Sequence, residues 1–368
     1  MKNSNIKRLS GKAYRTWLPV AVCLFATFAL SGSQSESAAQ TSLRKGDPVT
    51  RSMAGKDRHT FKVSLKKGMY LNLAVEQRDV DVITEVFGPD SASLGKFDAP
   101  TSERGTELAR FGAEVAGDYR IEVFTSSELA GPGEYTIEIK EMRLKRGRDI
   151  RVLTAVGFQQ EAIKLRMKPE TRTDAVPVYL KAVEIWRELR MPADEANTLR
   201  SIAFAYQRMQ EFDRATEYFA KALEIWERIG DVRSAAFTHV IYGVYSRKQN
   251  DFKAALEHDL RARKLWLKAK DMPEQTHNLV QIGNDYLSLG KNDMALTHFQ
   301  QALDLVRRMG RKSIEALVLS EYGDAHVKLG NKAEALTKYR RSIELWKNFK
   351  QDTFAAGVEE KIAKLSVK

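Results

Sequence analysis

The segment Gly283-Asn-Asp-Tyr-Leu-Ser-Leu-Gly-Lys-Asn-Asp-Met-Ala-Leu-Thr-His-Phe-Gln-Gln-Ala302 contains small and aromatic residues that recur at a fixed spacing. Four blocks of equal length follow one another without an insertion: 192–231, 232–271, 272–311 and 312–351. A period of this length predicts a supersecondary unit that stacks against its own copies. The recurring columns are Ala203, Gly243, Gly283 and Gly323; Ala215, Ala255, Ala295 and Ala335; Ala222, Ala262, Ala302 and Ser342; and Trp226, Trp266, Val306 and Trp346.

Each block predicts two helices, which in the first block cover 193–209 and 212–229. A Gly inside a helix costs about 1 kcal/mol relative to Ala. Gly in three of four equivalent positions therefore indicates that a larger side chain would hold two helices apart. One block cannot bury its own apolar faces, so the blocks are expected to stack into a solenoid with the Trp column in its core.

These columns resemble the tetratricopeptide repeat in its 40-residue form. The family's small–Ala–aromatic–Ala signature occurs here as Ala203, Ala215, Phe219 and Ala222, and again two blocks later as Gly283, Ala295, Phe299 and Ala302. In the block between them Asp259 replaces the aromatic residue and Ser246 replaces a Tyr, which predicts a looser second repeat. Residues 149–190 resemble a degenerate first helical pair with Asp149 as its N-cap, and 352–368 resemble a capping helix.

Residues 45–142 have a different period, in which short segments alternate apolar and polar side chains. Two of them are similar: Gly117-Asp-Tyr-Arg-Ile-Glu-Val123 and Gly133-Glu-Tyr-Thr-Ile-Glu-Ile139. Seven or eight such strands separated by turns predict a β-sandwich. The predicted fold class is therefore multidomain, with an all-β sandwich followed by an all-α solenoid of tetratricopeptide type.

The strand region resembles the pre-peptidase C-terminal type of sandwich found in secreted bacterial proteins, on the basis of Gly88-Pro89-Asp90 and the two similar strands. Some members of that family bind calcium or polysaccharide. The resemblance therefore makes four acids candidates for calcium ligands. Asp also favours turns for local reasons, and the sequence shows no tight cluster of the six to eight oxygen ligands that calcium needs. We expect no metal site and no cofactor. The four acids are Asp79, Asp81, Asp90 and Asp98.

Residues 1–39 predict a secretory signal peptide with cleavage after Ala39. Five cations precede an apolar run over 17–30, and small residues follow it. The run is shorter than the roughly 20 apolar residues that a membrane span needs. The protein is therefore expected to be exported, to the periplasm or outside the cell. The alternative is an uncleaved inner-membrane anchor, the one case in which we expect membrane contact.

Charge, cysteine content and the absence of catalytic motifs exclude several classes of function. The net charge of the 368 residues is +12, and removal of 1–39 takes away five cations and Glu36, which leaves +8. It also removes Cys23, the single cysteine, so thiol chemistry and disulfides are excluded from the expected mature protein. Export argues against a nucleic-acid partner. No phosphate-binding loop and no His-Glu-x-x-His motif occurs, so we expect no catalytic residues and no enzymatic activity.

The family resemblance implies that the first helix of each repeat lines a concave face that binds peptides. Counting from the small column gives a strip that is apolar in its middle and basic along one side. Such a strip suits a protein or peptide partner with hydrophobic anchors and acidic residues. The predicted groove residues are Asn197, Arg200, Phe204, Arg208, Phe237, Val244, Arg247, Lys248, His277, Asn284, Leu287, Asp324 and Lys328.

The sequence therefore predicts a non-enzymatic exported scaffold. Two alternatives remain open. The order of domains resembles the front half of secreted CHAT-type protease proteins, which implies a regulatory or truncated N-terminal half. The chain would otherwise be an envelope adhesin, whose sandwich binds glycan or calcium and whose repeats act as a spacer.

Overall fold

A computed structural model of the protein describes residues 41–98, 104–125 and 132–366; the predicted signal peptide lies outside them. Strands come first and helices follow, which confirms the predicted fold class. The strands are β1 (Thr41–Ser42), β2 (Val49–Met53), β3 (Arg58–Leu65), β4 (Met69–Arg78), β5 (Val82–Phe87), β6 (Ser93–Phe97), β7 (Arg104–Gly112), β8 (Gly117–Thr125) and β9 (Gly133–Leu144).

These strands form two sheets that pack face to face. One sheet has the order β1-β3-β8-β5-β6 and the other β2-β9-β4-β7. Neighbouring strands are antiparallel except β1 and β3. The two similar segments are β8 and β9, which lie in different sheets. Their alternating Tyr, Ile and Val side chains are buried between the sheets, as the period of two predicts. These side chains are Tyr119, Ile121, Val123, Tyr135, Ile137 and Ile139.

The helical region begins directly after β9. A 3-10 turn over Pro169–Asp174 separates α1 from α2, and four regular helical pairs follow. We call α3, α5, α7 and α9 the first helices and α4, α6, α8 and α10 the second helices. The bounds are α1 (Gly147–Met167), α2 (Ala175–Glu188), α3 (Pro192–Arg208), α4 (Phe212–Ile229), α5 (Val232–Lys248), α6 (Phe252–Ala269), α7 (Met272–Ser288), α8 (Asn292–Met309), α9 (Lys312–Lys328), α10 (Lys332–Asn348) and α11 (Asp352–Ser366).

The small columns lie where the two helices of one repeat meet. A Cβ atom built on Gly283 would lie 2.9 Å from the Phe299 ring, and one on Gly323 would lie 2.5 Å from the Tyr339 ring. Both distances are shorter than ordinary carbon contacts, which explains why Gly is kept despite its cost in a helix. The Trp column is buried in the core, as predicted.

A residue with left-handed backbone geometry follows almost every helix of the array, at a constant interval along the chain. Four of these positions are glycine, which adopts positive φ without a steric penalty. The other five are residues that adopt positive φ although they carry a side chain. The regular ends keep successive helices equal in length, so the helices of the repeats stack in phase. The positions are Arg190, Gln210, Gly230, Asn250, Lys270, Gly290, Gly310, Gly330 and Lys350.

The connection between the strands and the helices is fixed by charge. Asp149 is not the N-cap that the sequence predicted, because α1 begins two positions earlier at Gly147. Instead the Asp149 carboxylate accepts the backbone N–H of Arg146 at 2.7 Å and binds the guanidinium of Arg143. Hydrogen bonding from Arg143 is the main reason that the pKa of Asp149 is lowered. Arg143 therefore ties the end of β9 to the first turn of α1.

Among the helices that the structure describes, none is both long enough and apolar enough to cross a membrane.

Candidate ligand-binding groove

The predicted groove residues lie on the first helices, at equivalent positions of successive repeats. Phe204, Val244, Asn284 and Asp324 occupy one column near the C-terminal ends of these helices. Arg208, Lys248, Ser288 and Lys328 occupy a second column, in the last turn. The two columns are the part of the predicted strip farthest from the N-terminal ends of the first helices.

The N-terminal ends of the first helices contact the sandwich instead. Arg110 of β7 forms an ion pair with Asp194 of α3 at 2.6 Å. Arg233 of α5 donates to the backbone oxygen of Arg104 at 2.5 Å. The strand region therefore lies against the N-terminal ends of α3 and α5, outside the predicted groove residues.

A charged cleft of about 650 Å³ lies at this contact, between the ends of β4, β7 and β9 and the start of α5. Asp79 stands at its rim, accepts two hydrogen bonds from Arg104 at 2.7 and 2.9 Å, and lies 3.6 Å from Arg311. Asp79, one of the acids considered for calcium, is thus held by two arginines. Within the described ranges, no group of three or more His, Cys, Asp or Glu side chains could hold a metal ion.

Arg200 is a core residue and not the ligand contact that the sequence predicted. Its side chain is 1% exposed and lies against the rings of Trp226 and Phe237, with 5.7 and 5.9 Å to the ring centroids. Its guanidinium donates to the Asn197 amide oxygen. Burial lowers the pKa of Arg200 to about 10. Arg200 therefore contacts two other predicted groove residues, Asn197 and Phe237.

Arg247 is also engaged inside the protein, which corrects its prediction as a groove cation. Its guanidinium donates to Asp259 at 2.5 Å and to Asp285 at 2.9 and 3.0 Å, and both carboxylates are fully buried. Burial raises the pKa of Asp285 to about 7, with Arg247 opposing it and Asp259 adding to it. Asp259 stands where the other three repeats have an aromatic side chain, and it joins this ion-pair network where those residues pack their rings. A Cβ atom on Gly243 would lie 2.9 Å from its carboxylate.

Asp324 is bound by residues of the last repeat and of α11. The Tyr339 hydroxyl and the Lys361 ammonium each donate to its carboxylate at 2.5 Å. Lys361 also donates to the Ser320 hydroxyl at 2.9 Å. Sequence reasoning missed Lys361, since α11 lies outside the repeat period and no column marks it.

The remaining predicted residues leave an open strip. Phe204, Val244 and Leu287 are half-buried apolar side chains, and Phe204 packs edge-to-face on Phe219 with 5.3 Å between ring centroids. Asn284 is half-buried, while His277 is exposed near the start of α7. Beside the apolar side chains lie three cations, which we call the basic column. These are Arg208, Lys248 and Lys328, and no ion pair joins any of them to another described residue.

The fold and these columns define a helical-repeat protein. Residues 194–268 and 275–348 match the tetratricopeptide repeat family. These segments are therefore tetratricopeptide repeats, as the sequence columns predicted. A comparison with curated protein sequences gives no match.

Solved structures resemble the helical region. The apo form of RapI is 16% identical with a TM-score of 0.51, and the match covers 56% of this chain and 57% of that one. Aspartyl phosphate phosphatase F from Bacillus subtilis is 15% identical with a TM-score of 0.49, covering 58% and 56%. PilF of Pseudomonas aeruginosa is 21% identical with a TM-score of 0.39, covering 60% and 94%. The likeness to RapI shows the fold alone, and the match spans little more than half of RapI and of the phosphatase.

Proposed function

We propose that this protein is an exported, non-enzymatic scaffold that binds an acidic peptide segment of a partner protein along the open strip. The observation that carries the proposal is the basic column, whose three cations have no ion-pair partner in the described ranges, beside half-buried apolar side chains.

The geometry supports different roles for the apolar side chains of the open strip and for the basic column. Apolar anchors that become buried supply most of the affinity in peptide recognition, and charges on the rim orient the ligand and speed its association. Phe204, Val244 and Leu287 offer the apolar contacts, and the basic column offers the charges. The strip is about three repeats long, which suits an extended segment or one short helix.

The charged groups elsewhere in the repeats support a non-catalytic role. Arg247 is ion-paired with Asp259 and Asp285, and Asp324 is held by Tyr339 and Lys361. These groups stabilise the packing of neighbouring helices. Export rests on the basic, apolar and small-residue pattern of positions 1–39.

The experiment starts from residue 40, since the chain from there onward forms one compact unit. Peptides selected from a random display library on this protein are labelled, and their dissociation constants are measured by fluorescence anisotropy. The test variant is Lys248→Glu with Lys328→Glu. The matched control is Lys264→Glu with Arg308→Glu, which reverses two charges on the second helices.

We expect the selected peptides to combine acidic with large apolar residues. The test variant should weaken binding at least about tenfold, because two favourable charge contacts become repulsive, while the control keeps the affinity. Selected peptides without acidic residues, or equal affinity for the test variant and the original protein, would refute the proposal.

A further inference from the structure

Three arginines meet where α1, the 3-10 turn and α3 come together. Arg172 of the turn donates from Nε to the backbone oxygen of Arg166 at 3.3 Å and from Nη1 to the backbone oxygen of Arg208 at 3.0 Å. Arg166 lies in the last turn of α1, and Arg208 ends α3. We call these three residues the arginine cluster. Burial lowers the pKa of Arg208, and the neighbouring charges of Arg166 and Arg172 lower it further.

The cluster carries more positive charge than the helix ends require. Each helix C-terminus presents about half a negative charge, so the ends of α1 and α3 together offset about one of the three cations. One acid near Arg166 is Asp98, which directly follows β6. Burial raises the pKa of Asp98, and the charge of Arg166 opposes that effect. Even with Asp98 ionised, about one positive charge remains beyond those that Asp98 and the two helix ends offset, and the acids of the 3-10 turn, Glu170 and Asp174, form no ion pair with the three arginines.

The cluster also lacks carboxylate partners, and one of its donors lacks an acceptor. No ion pair joins any of the three guanidinium groups to a described carboxylate. The Arg166 Nε is buried and has no hydrogen-bond partner, and the same is true of the hydroxyl of Tyr179, a side chain 1% exposed. Tyr179 lies in the buried cluster against which Leu165, next to Arg166 in sequence, packs, and the charge of Arg166 opposes the rise that burial causes in the pKa of the Tyr179 hydroxyl. Buried donors without acceptors are costly, and an ordered site that contains two of them is incomplete without a further acceptor.

We propose that the arginine cluster is a binding site for an oxyanion, either a phosphate or a carboxylate group. Both groups present pairs of oxygen atoms that match the fork of a guanidinium. Arg172 holds the cluster in place through the two carbonyl groups, and the guanidinium groups of Arg208 and of Arg166, including its unpaired Nε, contact the anion. The site adjoins the end of the basic column through Arg208, but it needs no peptide in the open strip.

Isothermal titration of inorganic phosphate, and separately of acetate, into the chain from residue 40 tests the site at fixed ionic strength. The test variant is Arg166→Gln with Arg208→Gln. Arg172 stays unchanged, since its two carbonyl bonds contribute to folding. The control is Arg308→Gln with Arg340→Gln, two arginines of the second helices. Circular dichroism of each variant checks that the helices are retained.

We expect one saturable site for phosphate or for acetate, and the tighter of the two identifies the class of oxyanion. The test variant should bind at least about tenfold more weakly, and the control should bind as the original protein does. If the test variant loses its helices, the variant Arg166→Lys with Arg208→Lys replaces it. Lysine keeps the positive charge but lacks the paired N–H donors of a guanidinium, so this variant should weaken phosphate binding several-fold. The absence of saturable binding of either anion, or an equal loss in the control, would overturn the site. The Lys248→Glu and Lys328→Glu variant should retain phosphate binding, which separates this site from the proposed peptide strip.

Discussion

Arg247 and Lys248 are adjacent in sequence and have different structural roles. Arg247 holds two buried carboxylates, whereas Lys248 is exposed and lies over the Phe212 ring with 5.1 Å to its centroid. Removing one partner of a buried ion pair leaves charge uncompensated and costs about 3–5 kcal/mol. Arg247→Ala should therefore lower the free energy of unfolding by about that amount, and Lys248→Ala by less than about 0.5 kcal/mol. Urea titration followed by circular dichroism measures both, and equal stabilities of the two variants would contradict the assignment.

This pair also marks the limit of inference from the sequence. Counting from the small column places both residues near the C-terminal end of α5, and the structure agrees on that position. The partners of Arg247 could not be foreseen, because Asp259 and Asp285 lie on two other helices, 12 and 38 residues along the chain. The one signal in the sequence was Asp259 at a position that is aromatic in the other repeats, because a carboxylate buried there needs a cation nearby. Arg200 was misassigned for a similar reason, as the rings that cover it come from other elements.

His239 makes the second repeat sensitive to acid. Its ring is buried and its Nδ1 lies 3.2 Å from Nδ1 of His258. Burial, together with the smaller effect of His258, lowers the pKa of His239 to about 4, against about 6.5 in an unfolded chain. The folded state thus favours the neutral ring. This contribution to stability is complete above about pH 6.5 and is lost as the pH falls from there through about 4.

His239→Gln should therefore reduce the fall in Tm between about pH 7 and pH 4.5, whatever its effect at neutral pH. Thermal melts at several pH values measure this difference. His277→Gln, a change at an exposed histidine, serves as the control and should leave the fall in Tm unchanged. The same fall in Tm for His239→Gln as for the original protein would show that the ring is not held neutral.

The packing of the two helices within a repeat depends on the small column. At Gly323 a Cβ atom would meet the Tyr339 ring at 2.5 Å, whereas nothing lies within 4 Å of one at Gly157 in α1. Gly323→Ala should destabilise the protein by about 1–3 kcal/mol through overpacking. Gly157→Ala should stabilise it by about 0.5–1 kcal/mol, because Ala loses less freedom on folding than Gly. Thermal unfolding measures both, and a neutral Gly323→Ala would mean that α9 and α10 separate without cost.

The sequence predicted this column but not the regular helix ends. A Gly at the same position of successive blocks, inside a predicted helix, is visible by counting, and close packing is its natural cause. The residues with left-handed backbone geometry between the helices could not be recognised from the sequence, because five of the nine are not glycine. The α1 start was misplaced for a local reason. Asp149 has the side chain of an N-cap, but hydrogen bonds from Arg143 and from the Arg146 backbone use it inside the first turn.

Tyr70 of β4 packs with Val152, Ala155 and Trp186 of the helical region, and ion pairs also join the sandwich to the repeats. Arg110 to Asp194 and Asp79 to Arg311 connect the strand region with the first helices across long sequence separations. The sequence separated the two regions by their periods, yet nothing local in it indicates this contact. Arg110→Asp should detach the sandwich from α3, and adding Asp194→Arg should restore the contact with reversed charges. Small-angle scattering should show a larger radius of gyration for the single variant only.

Salt gives an independent check on that contact. The Arg110 side chain is 9% exposed and that of Asp194 is 20% exposed, and pairs of this kind are screened much less than exposed ones. The radius of gyration of the original protein should therefore stay unchanged even at about 1 M salt, where the screening length is about 3 Å. If the single variant keeps the original dimensions at every salt concentration, apolar packing and chain connectivity hold the two regions together instead.

Hydrogen–deuterium exchange of the chain from residue 40, with and without a saturating display-selected acidic peptide, tests the proposed use of the first helices. The open strip and basic column predict slower exchange in 201–208, 241–248, 281–288 and 321–328, with the second helices unchanged. Protection confined to the second helices or to the sandwich would contradict the proposed groove and move the binding site elsewhere in the molecule.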